Sequence, residues 1–443
     1  MTDAGQKRLG QQAVVIGGSM AGLLAARVLS ERYDQVTIIE RDTLPATAAQ
    51  RKGVPQGRHV HALLARGQQV LEMLFPGLTQ GLVDQGTPQG LGRLHFGGGY
   101  FHPPEDAPEL LFASRPALET AVRARLLTLA TVRILENCDA LGLTTNPDCS
   151  RVTGVRLLDR QTGGGEAVLS ADLVVDASGR GSHSPAWLEN MGYARPAVDL
   201  VEVKIGYASR VYQRQADHFD GDPMIFVMPT VNNKRGCGVM AQEGERWMVT
   251  LAGYFGDHPP TDEAGFLQFA QSLPTPEVYD LIRTATPLSD LVAFKFPANR
   301  RRRYEALDRF PAGFLVIGDA VCSFNPIYGQ GMTVAALEAL ALRECLADGL
   351  DQLAQRFFKR AGKIVEEAWR TVIPTDLGLS ESETVPPSIR FINWYASKLQ
   401  IAARRDPVAG LAYIKVGNLM AAPSSMLHPY IVLRVLWGNL LHR

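Results

Sequence analysis

The sequence predicts an α/β chain in which a parallel sheet is interrupted by an inserted antiparallel sheet and followed by helices. Three observations carry this. Ala13-Val14-Val15-Ile16 is an unbroken apolar run that stops at Gly17-Gly18, as a strand buried on both faces of a parallel sheet does. Residues 201–211, 224–229, 236–241 and 246–253 recur as alternating runs, the period of an antiparallel sheet. After Gly331 the pattern is mostly helical, with breaks near Pro374, Pro386-Pro387 and Pro423.

The elements follow in order. Ala21 to Ser30 has helix formers at helical spacing, and Gln35 to Glu40 is a second β-rich run ending in an acid. Strand, glycine turn, helix and strand fit within about 30 residues, the size of a βαβ unit. Residues 42–60 are polar, contain Pro45, Gly53, Pro55 and Gly57, and read as loop. Gly67 to Phe75 reads as helix, and residues 76–112 as loops and short strands. Arg115 to Ala130 is a helix with Pro116 at its start and Leu118, Val122 and Leu126 on one face. Val132–Leu135, Val152–Leu158 and Ala167–Leu169 suggest a small antiparallel ribbon. Leu173–Asp176 and Gly313–Ile317 return to the buried parallel pattern. This divides the chain into a discontinuous first domain (1–199 and 299–350), an inserted sheet domain (200–298) and a helical region (351–443).

Composition excludes several classes. The 443 residues carry 45 Lys+Arg and 45 Asp+Glu, so the basic footprint of a nucleic-acid binder is missing. Five cysteines, at 138, 149, 237, 322 and 345, lie far apart without a CxxC pair, which argues against zinc and redox dithiols and suits a reducing cytoplasm. The first twelve residues have no apolar stretch of signal-peptide type, and no run of about 18 apolar residues predicts a membrane span. His59 and His61 are two apart with no third ligand at sensible spacing, so no metal is expected.

Two glycine-rich turns carry the chemistry. Gly17-Gly18-Ser19-Met20-Ala21-Gly22 follows a strand and opens a helix, the context of a dinucleotide fingerprint, with Ser19 in place of the middle glycine. Gly22 allows close packing of helix and sheet, and the helix N-terminus offers free N–H groups to a pyrophosphate. Glu40 falls 18 residues after Gly22, where a carboxylate accepts hydrogen bonds from a ribose. The second turn is Gly318-Asp319, after a buried strand, continuing to Asn325-Pro326-Ile327-Tyr328-Gly329-Gln330-Gly331-Met332. A second acid after a second buried strand suits the far half of a long dinucleotide, and points from NAD towards FAD.

With the middle motif Val175-Asp176-Ala177-Ser178-Gly179-Arg180-Gly181-Ser182, these turns resemble, in order, those of the flavoprotein monooxygenases of the para-hydroxybenzoate hydroxylase superfamily, over residues 12 to 345. Ala177 replaces the family's usual glycine. Arg51 to His61 and the 325–332 loop are similar to those of flavin epoxidases from polyether pathways. The resemblance implies a Rossmann-like FAD-binding domain of the glutathione-reductase type. Its cofactor contacts would fall on Gly17, Ser19, Met20, Ala21, Gly22, Glu40, Arg41, Arg51, Arg115, Ala140, Asp176, Gly318, Asp319, Gly329, Gln330, Gly331 and Met332. Glu40 would bind the adenosine ribose, Arg51 and Arg115 the pyrophosphate or flavin side, and Asp319 the ribityl chain. For each arginine a surface salt bridge is the alternative.

The implied reaction is insertion of one atom of O₂ through a hydroperoxyflavin, reduced transiently by NADPH or NADH, or supplied by a separate flavin reductase. The flavin carries the chemistry, which fits the lack of a catalytic triad or carboxylate pair. Some of Phe226, Met228, Met240, Trp247, Met248, Tyr254, Phe255 and Phe296 are expected to form an apolar pocket closed by Phe391, Trp394 and Tyr395, which predicts a bulky apolar substrate such as a polyketide or polyene alkene. Aromatic hydroxylation and isoprenoid reduction are the alternatives. A halogenase is disfavoured because no W-x-W-x-I-P motif occurs. Arg300 to Arg303 reads as a solvated edge balanced by Glu305 and Asp308, with an NADPH-phosphate site as the other reading. Cys322 reads as packing.

Overall fold

The computed structural model describes residues 7–96, 98–160, 165–380 and 385–440. Its five-stranded parallel sheet runs Phe314–Val316, Leu173–Asp176, Gly10–Ile16, Tyr33–Ile39 and Val132–Leu135 in spatial order. The apolar runs that predicted it are buried: Ala13, Val14, Val15, Val174, Val175 and Val316 are 0% exposed. Helix Met20–Leu29 covers the sheet and packs against helix Gly331–Ala347.

Register decides where the motifs meet. Ile16 pairs with Ile39 on one side and Asp176 on the other, and Asp176 pairs with Val316. The turns after four parallel strands therefore share one edge. That edge, at the carboxyl ends of the strands, is where open α/β sheets place ligands.

Several elements differ from expectation. Val132–Leu135 does not join an antiparallel ribbon; it pairs in parallel with Val36–Ile39, because helix Arg115–Leu127 carries the chain back to the start of the sheet. The ribbon's missing strand is Cys138–Thr145, whose alternation is disturbed by a register shift between Ala140 and Gly142. Leu78–Val83 forms a helix inside the segment read as loop. Pro374 does not break its helix, which runs from Leu353 to Leu379. There the freed backbone is supported from outside: Asn393 Nδ2 donates to the Pro374 carbonyl at 2.7 Å.

The second sheet has eight strands, in the order Cys322–Ser323, Val292–Arg302, Val198–Gln213, Arg246–Gly253, Arg235–Gln242, Met224–Val227, Arg93–Phe96 and Gly99–Phe101. The last two come from the first segment of the chain, so the sheet draws on more than 200–298. Helices Glu263–Gln271 and Glu277–Thr284, which the alternating pattern did not announce, bury Phe266, Phe269, Val278 and Leu281 against Trp247, Val249 and Leu251. Asp262 caps the first of them by accepting from Gly265 N–H at 2.8 Å.

Candidate functional site

The first turn is held by close approach. Gly17 has φ +104°, a left-handed conformation that L side chains rarely adopt. A Cβ on Gly22 would stand 1.8 Å from the Gly17 carbonyl oxygen, so only glycine fits. Ser19 is the N-cap of the helix, and Met20, its first residue, is buried. The Ser19 hydroxyl donates to Glu119 Oε2 at 2.9 Å and accepts from Arg115 Nη2 at 2.7 Å.

Glu40 lies beside this turn and is 4% exposed. Its Oε2 accepts from Gly18 N–H at 2.8 Å and its Oε1 from Asp42 N–H at 2.9 Å. Arg41 next to it is exposed. Ala140 lies two residues beyond Cys138, whose N–H donates to the Glu40 carbonyl at 2.9 Å.

The arginines are not surface ion pairs. The Arg51 side chain is 7% exposed and reaches three acids: Glu40 at 3.2 Å, Asp42 at 3.1 Å and Glu119 at 2.8 Å. Arg115 is buried and meets Glu119 at 3.1 Å. Burial raises the Glu119 carboxyl, but the Arg115 and Arg51 guanidiniums outweigh it and hold the group below its usual value. Glu119 escaped the sequence reading, although its position four residues after Arg115 on one helix face was a usable signal.

Asp319 follows Gly318, where a Cβ would lie 2.7 Å from the Ala21 Cβ of the first turn. The Asp319 side chain is exposed, yet burial raises its carboxyl against the pull of Arg115, Arg180 and Arg300. A Cβ on Gly331 would lie 3.7 Å from Asp319 Oδ1, and one on Gly179 would lie 4.0 Å from the Asp319 Cβ. Across the loop, Gly329 adopts φ +65°, Met332 is buried, and buried Gln330 donates to Thr371 at 2.8 Å while its Oε1 has no partner. An aligned helix starts at Gly331, its N-terminal end directed at this loop.

Asp176 stands apart from the other expected contacts. It is 0% exposed. Its Oδ1 accepts from Ser178 N–H at 2.8 Å, and its Oδ2 from the hydroxyls of Ser182, at 2.6 Å, and Ser184. It holds the 177–184 turn and has no surface to offer a cofactor.

The four-arginine run is not a solvated edge. Arg301 and Arg302 are 2% and 6% exposed. Arg302 donates to the Ala320 carbonyl at 2.6 Å, and Arg300 to the Arg180 carbonyl. Arg301 pairs with Glu305 at 2.7 Å and Glu366 at 2.5 Å. The run binds the turns at 179–181 and 318–320 to the second sheet. Cys322 is buried, which pushes its thiol up, in keeping with packing.

Beneath the 325–331 loop lies a polar cluster the sequence did not reveal. Buried Asp376 accepts through Oδ1 from Tyr328 at 2.8 Å, Tyr254 at 3.0 Å and Asn325 at 3.1 Å, and through Oδ2 from Asn299 at 2.7 Å. Tyr207 donates to Asn325 Oδ1 at 2.9 Å. The loop is thereby fastened to the second sheet and to helix Leu353–Leu379.

A cavity of about 820 Å³ opens on the loop's other side. Pro326 to Gln330 and His61 form one wall, Tyr207, Phe226, Met228 and Phe294 a second, and Trp369, Ile373, Phe391, Tyr395 and Leu399 a third. Met240, Trp247, Met248, Tyr254, Phe255, Phe296 and Trp394, expected as candidate lining, do not line it; Trp247 belongs to the core under the sheet's two helices. Histidine 59 borders the cavity with Nδ1 2.7 Å from Ser209 Oγ and Nε2 unpartnered. Burial lowers it to about 4, helped by Arg58, so it is neutral at pH 7. No His/Cys/Asp/Glu cluster suited to a metal occurs among the described residues.

These features fit FAD. The glycine cradle at a helix N-terminus suits a pyrophosphate, Asp319 is exposed, and the orphaned Gln330 and His59 atoms border the cavity. The comparisons agree. A family model described as FAD binding domain matches residues 11–357. Protein Rv3254 of Mycobacterium tuberculosis (strain ATCC 25618 / H37Rv) is 40% identical over 350 residues, covering 75% of this chain and 72% of that protein. A kynurenine 3-monooxygenase of Salinispora tropica is 26% identical over 364 residues, covering 76% and 72%. The flavin-dependent brominase Bmp2 shares the fold at a TM-score of 0.67 and 15% identity, over 98% of this chain and 100% of that one. The chain thus belongs to the FAD-binding domain family and is an FAD-dependent monooxygenase.

Proposed function

We propose that this monooxygenase transfers one oxygen atom to a bulky apolar substrate, and that the reaction is epoxidation of an alkene in a polyketide or polyene chain. The observation that carries this is the cavity. Its volume of about 820 Å³ and its walls of Phe, Met, Ile, Leu, Pro and Trp suit a large uncharged molecule. Arg370 is the one Lys or Arg among its lining residues, and it is already paired with Glu366 at 2.8 Å. Aromatic hydroxylation is the second reading, favoured by the 26% kinship to a kynurenine 3-monooxygenase. A small charged aromatic would find few partners here.

Bound FAD would supply oxygen activation. The chain's residues supply the rest. The 17–22 turn and the N-terminus of its helix would receive the pyrophosphate, with Glu40 at the ribose and Asp319 at the ribityl chain. Gly329 to Gly331 would lie against the flavin, where the helix dipole favours negative charge. Neutral His59 adds no charge to the cavity wall. The C-terminal helices add Phe391, Tyr395 and Leu399 to the third wall and give the reacting atoms an apolar surrounding. NADPH or NADH would bind transiently, since no second fingerprint follows a strand. A partner flavin reductase is the other source of electrons.

The test is product mass under ¹⁸O₂ with long polyenes and with phenols as competing substrates. One labelled oxygen in an epoxide supports the proposal. Labelled phenol products with untouched polyenes would transfer the assignment to aromatic hydroxylation.

A further inference from the structure

The C-terminal helices carry a surface that the oxygenase chemistry does not use. Helix Pro429–Leu440 has two apolar faces. On one, Ile431 and Val435 are buried against Tyr395, Leu399 and Ala402 of helix Pro387–Ala403. On the other, Tyr430, Leu433, Trp437 and Leu440 follow each other at steps of three and four residues and are 51%, 66%, 67% and 65% exposed. That spacing aligns them along one stripe. Phe391 and Trp394 of the neighbouring helix are 57% and 50% exposed, with ring centroids 5.7 Å apart. Exposed apolar patches of this extent mark interaction surfaces.

The charge of residues 387–440 is one-sided. Residues 387–440 contain Arg390, Lys398, Arg404, Arg405, Lys415 and Arg434 against a single acid, Asp406, which is paired with Arg434 at 2.8 Å. The whole chain is neutral, so the remainder is correspondingly acidic. Trp, Tyr and Leu on an exposed helix face, in a segment with six cations and one acid, suit a helix that lies in the headgroup layer of a bilayer. No described helix is long and apolar enough to cross one. A second copy would set the same basic surface against itself, so charge favours an anionic lipid surface over self-association. The cavity adds a further link. Phe391 and Leu427 are both exposed and cavity-lining, so the cavity opens on this side of the molecule.

We propose that this face docks on an anionic phospholipid bilayer, with helix Pro429–Leu440 lying in the plane of the headgroups. Its mouth then faces the lipid, and an apolar substrate enters from the acyl layer. That entry route rests on the apolar-substrate reading; the docking does not.

The experiment is flotation of the FAD-loaded full chain with vesicles of phosphatidylcholine and phosphatidylglycerol in equal parts, beside vesicles of phosphatidylcholine alone. The chain is expected to float with the anionic vesicles, and its partition coefficient to fall at least about tenfold between about 0.1 M and about 1 M salt. The double replacement Leu433→Glu/Trp437→Glu, outside the cavity and the cofactor turns, should cost at least about tenfold in partition with FAD content unchanged. Absence of flotation with anionic vesicles overturns the proposal. So does a dimer that the double replacement converts to monomer while vesicle binding is nil. Flotation without epoxidation of any alkene would leave the docking standing and remove the substrate reading.

Discussion

Replacing Asp376 with Ala tests how the 325–331 loop is held. The carboxylate accepts from Tyr328, Tyr254, Asn325 and Asn299 at 2.7–3.1 Å. Asn325 keeps a second bond, donating to Tyr254 Oη at 2.7 Å. Ala would therefore strand the two tyrosine hydroxyls and one Asn299 N–H inside the protein. Each unsatisfied buried donor costs roughly 1–3 kcal/mol. Against this, burial raises the Asp376 carboxyl despite its four donors, so the charged form is itself costly and its removal returns part of the loss. The expected net destabilisation is about 3–5 kcal/mol. Asp376→Asn, which keeps one acceptor oxygen, should lose markedly less. Urea unfolding of the FAD-loaded protein reads the stability, and flavin fluorescence released at rest reads the loop. If the Ala variant unfolds within about 1 kcal/mol of the parent and retains its flavin, the cluster does not hold the loop and the reasoning fails.

Other outcomes follow from the same geometry. Gly22→Ala would place a Cβ 1.8 Å from a backbone oxygen, so the protein should purify without flavin; a yellow variant with normal absorbance would contradict the close approach. Asp319→Ala should release FAD during purification, checked by the ratio of flavin to protein absorbance, and full retention would remove that acid from the site. Buried Glu338 is pushed up to about 8, by burial first, against the Gly318 N–H that donates to it at 2.6 Å. Its folded value lies above the unfolded one, so its contribution is present below about 4.5 and lost as pH rises through about 8. Glu338→Gln should therefore raise the melting temperature at pH 8–9, which differential scanning calorimetry measures; a lower value would refute it. Histidine 59 works in the opposite direction. Its folded value near 4 lies below the unfolded 6.5, so the unfolded chain takes the proton first and stability falls as pH drops from 6.5 towards 4. The shift corresponds to on the order of 3 kcal/mol, and His59→Asn should flatten the dependence of urea midpoint on pH in that window.

Local patterns were legible in the chain because they depend on neighbours in sequence. A strand buried on both faces must be apolar throughout, and a chain turning within van der Waals distance of its own helix must place glycine at 17 and 22. The order of Glu40, Asp319 and the 325–332 loop points to FAD from the chain alone. The tertiary structure decided what depends on partners distant in sequence. Asp176, an acid after a strand like the others, is consumed by its own turn. The four arginines look like a solvated edge until two turns and Glu366 are packed against them. Asp376 lies 51 residues from Asn325 and 122 from Tyr254, so no spacing could join them. Pro374 breaks a helix by local rules, yet Asn393 supports it from the next helix. Propensity and periodicity act over a few residues, whereas burial and charge compensation act across whatever the fold brings together, and only the folded chain shows which groups those are.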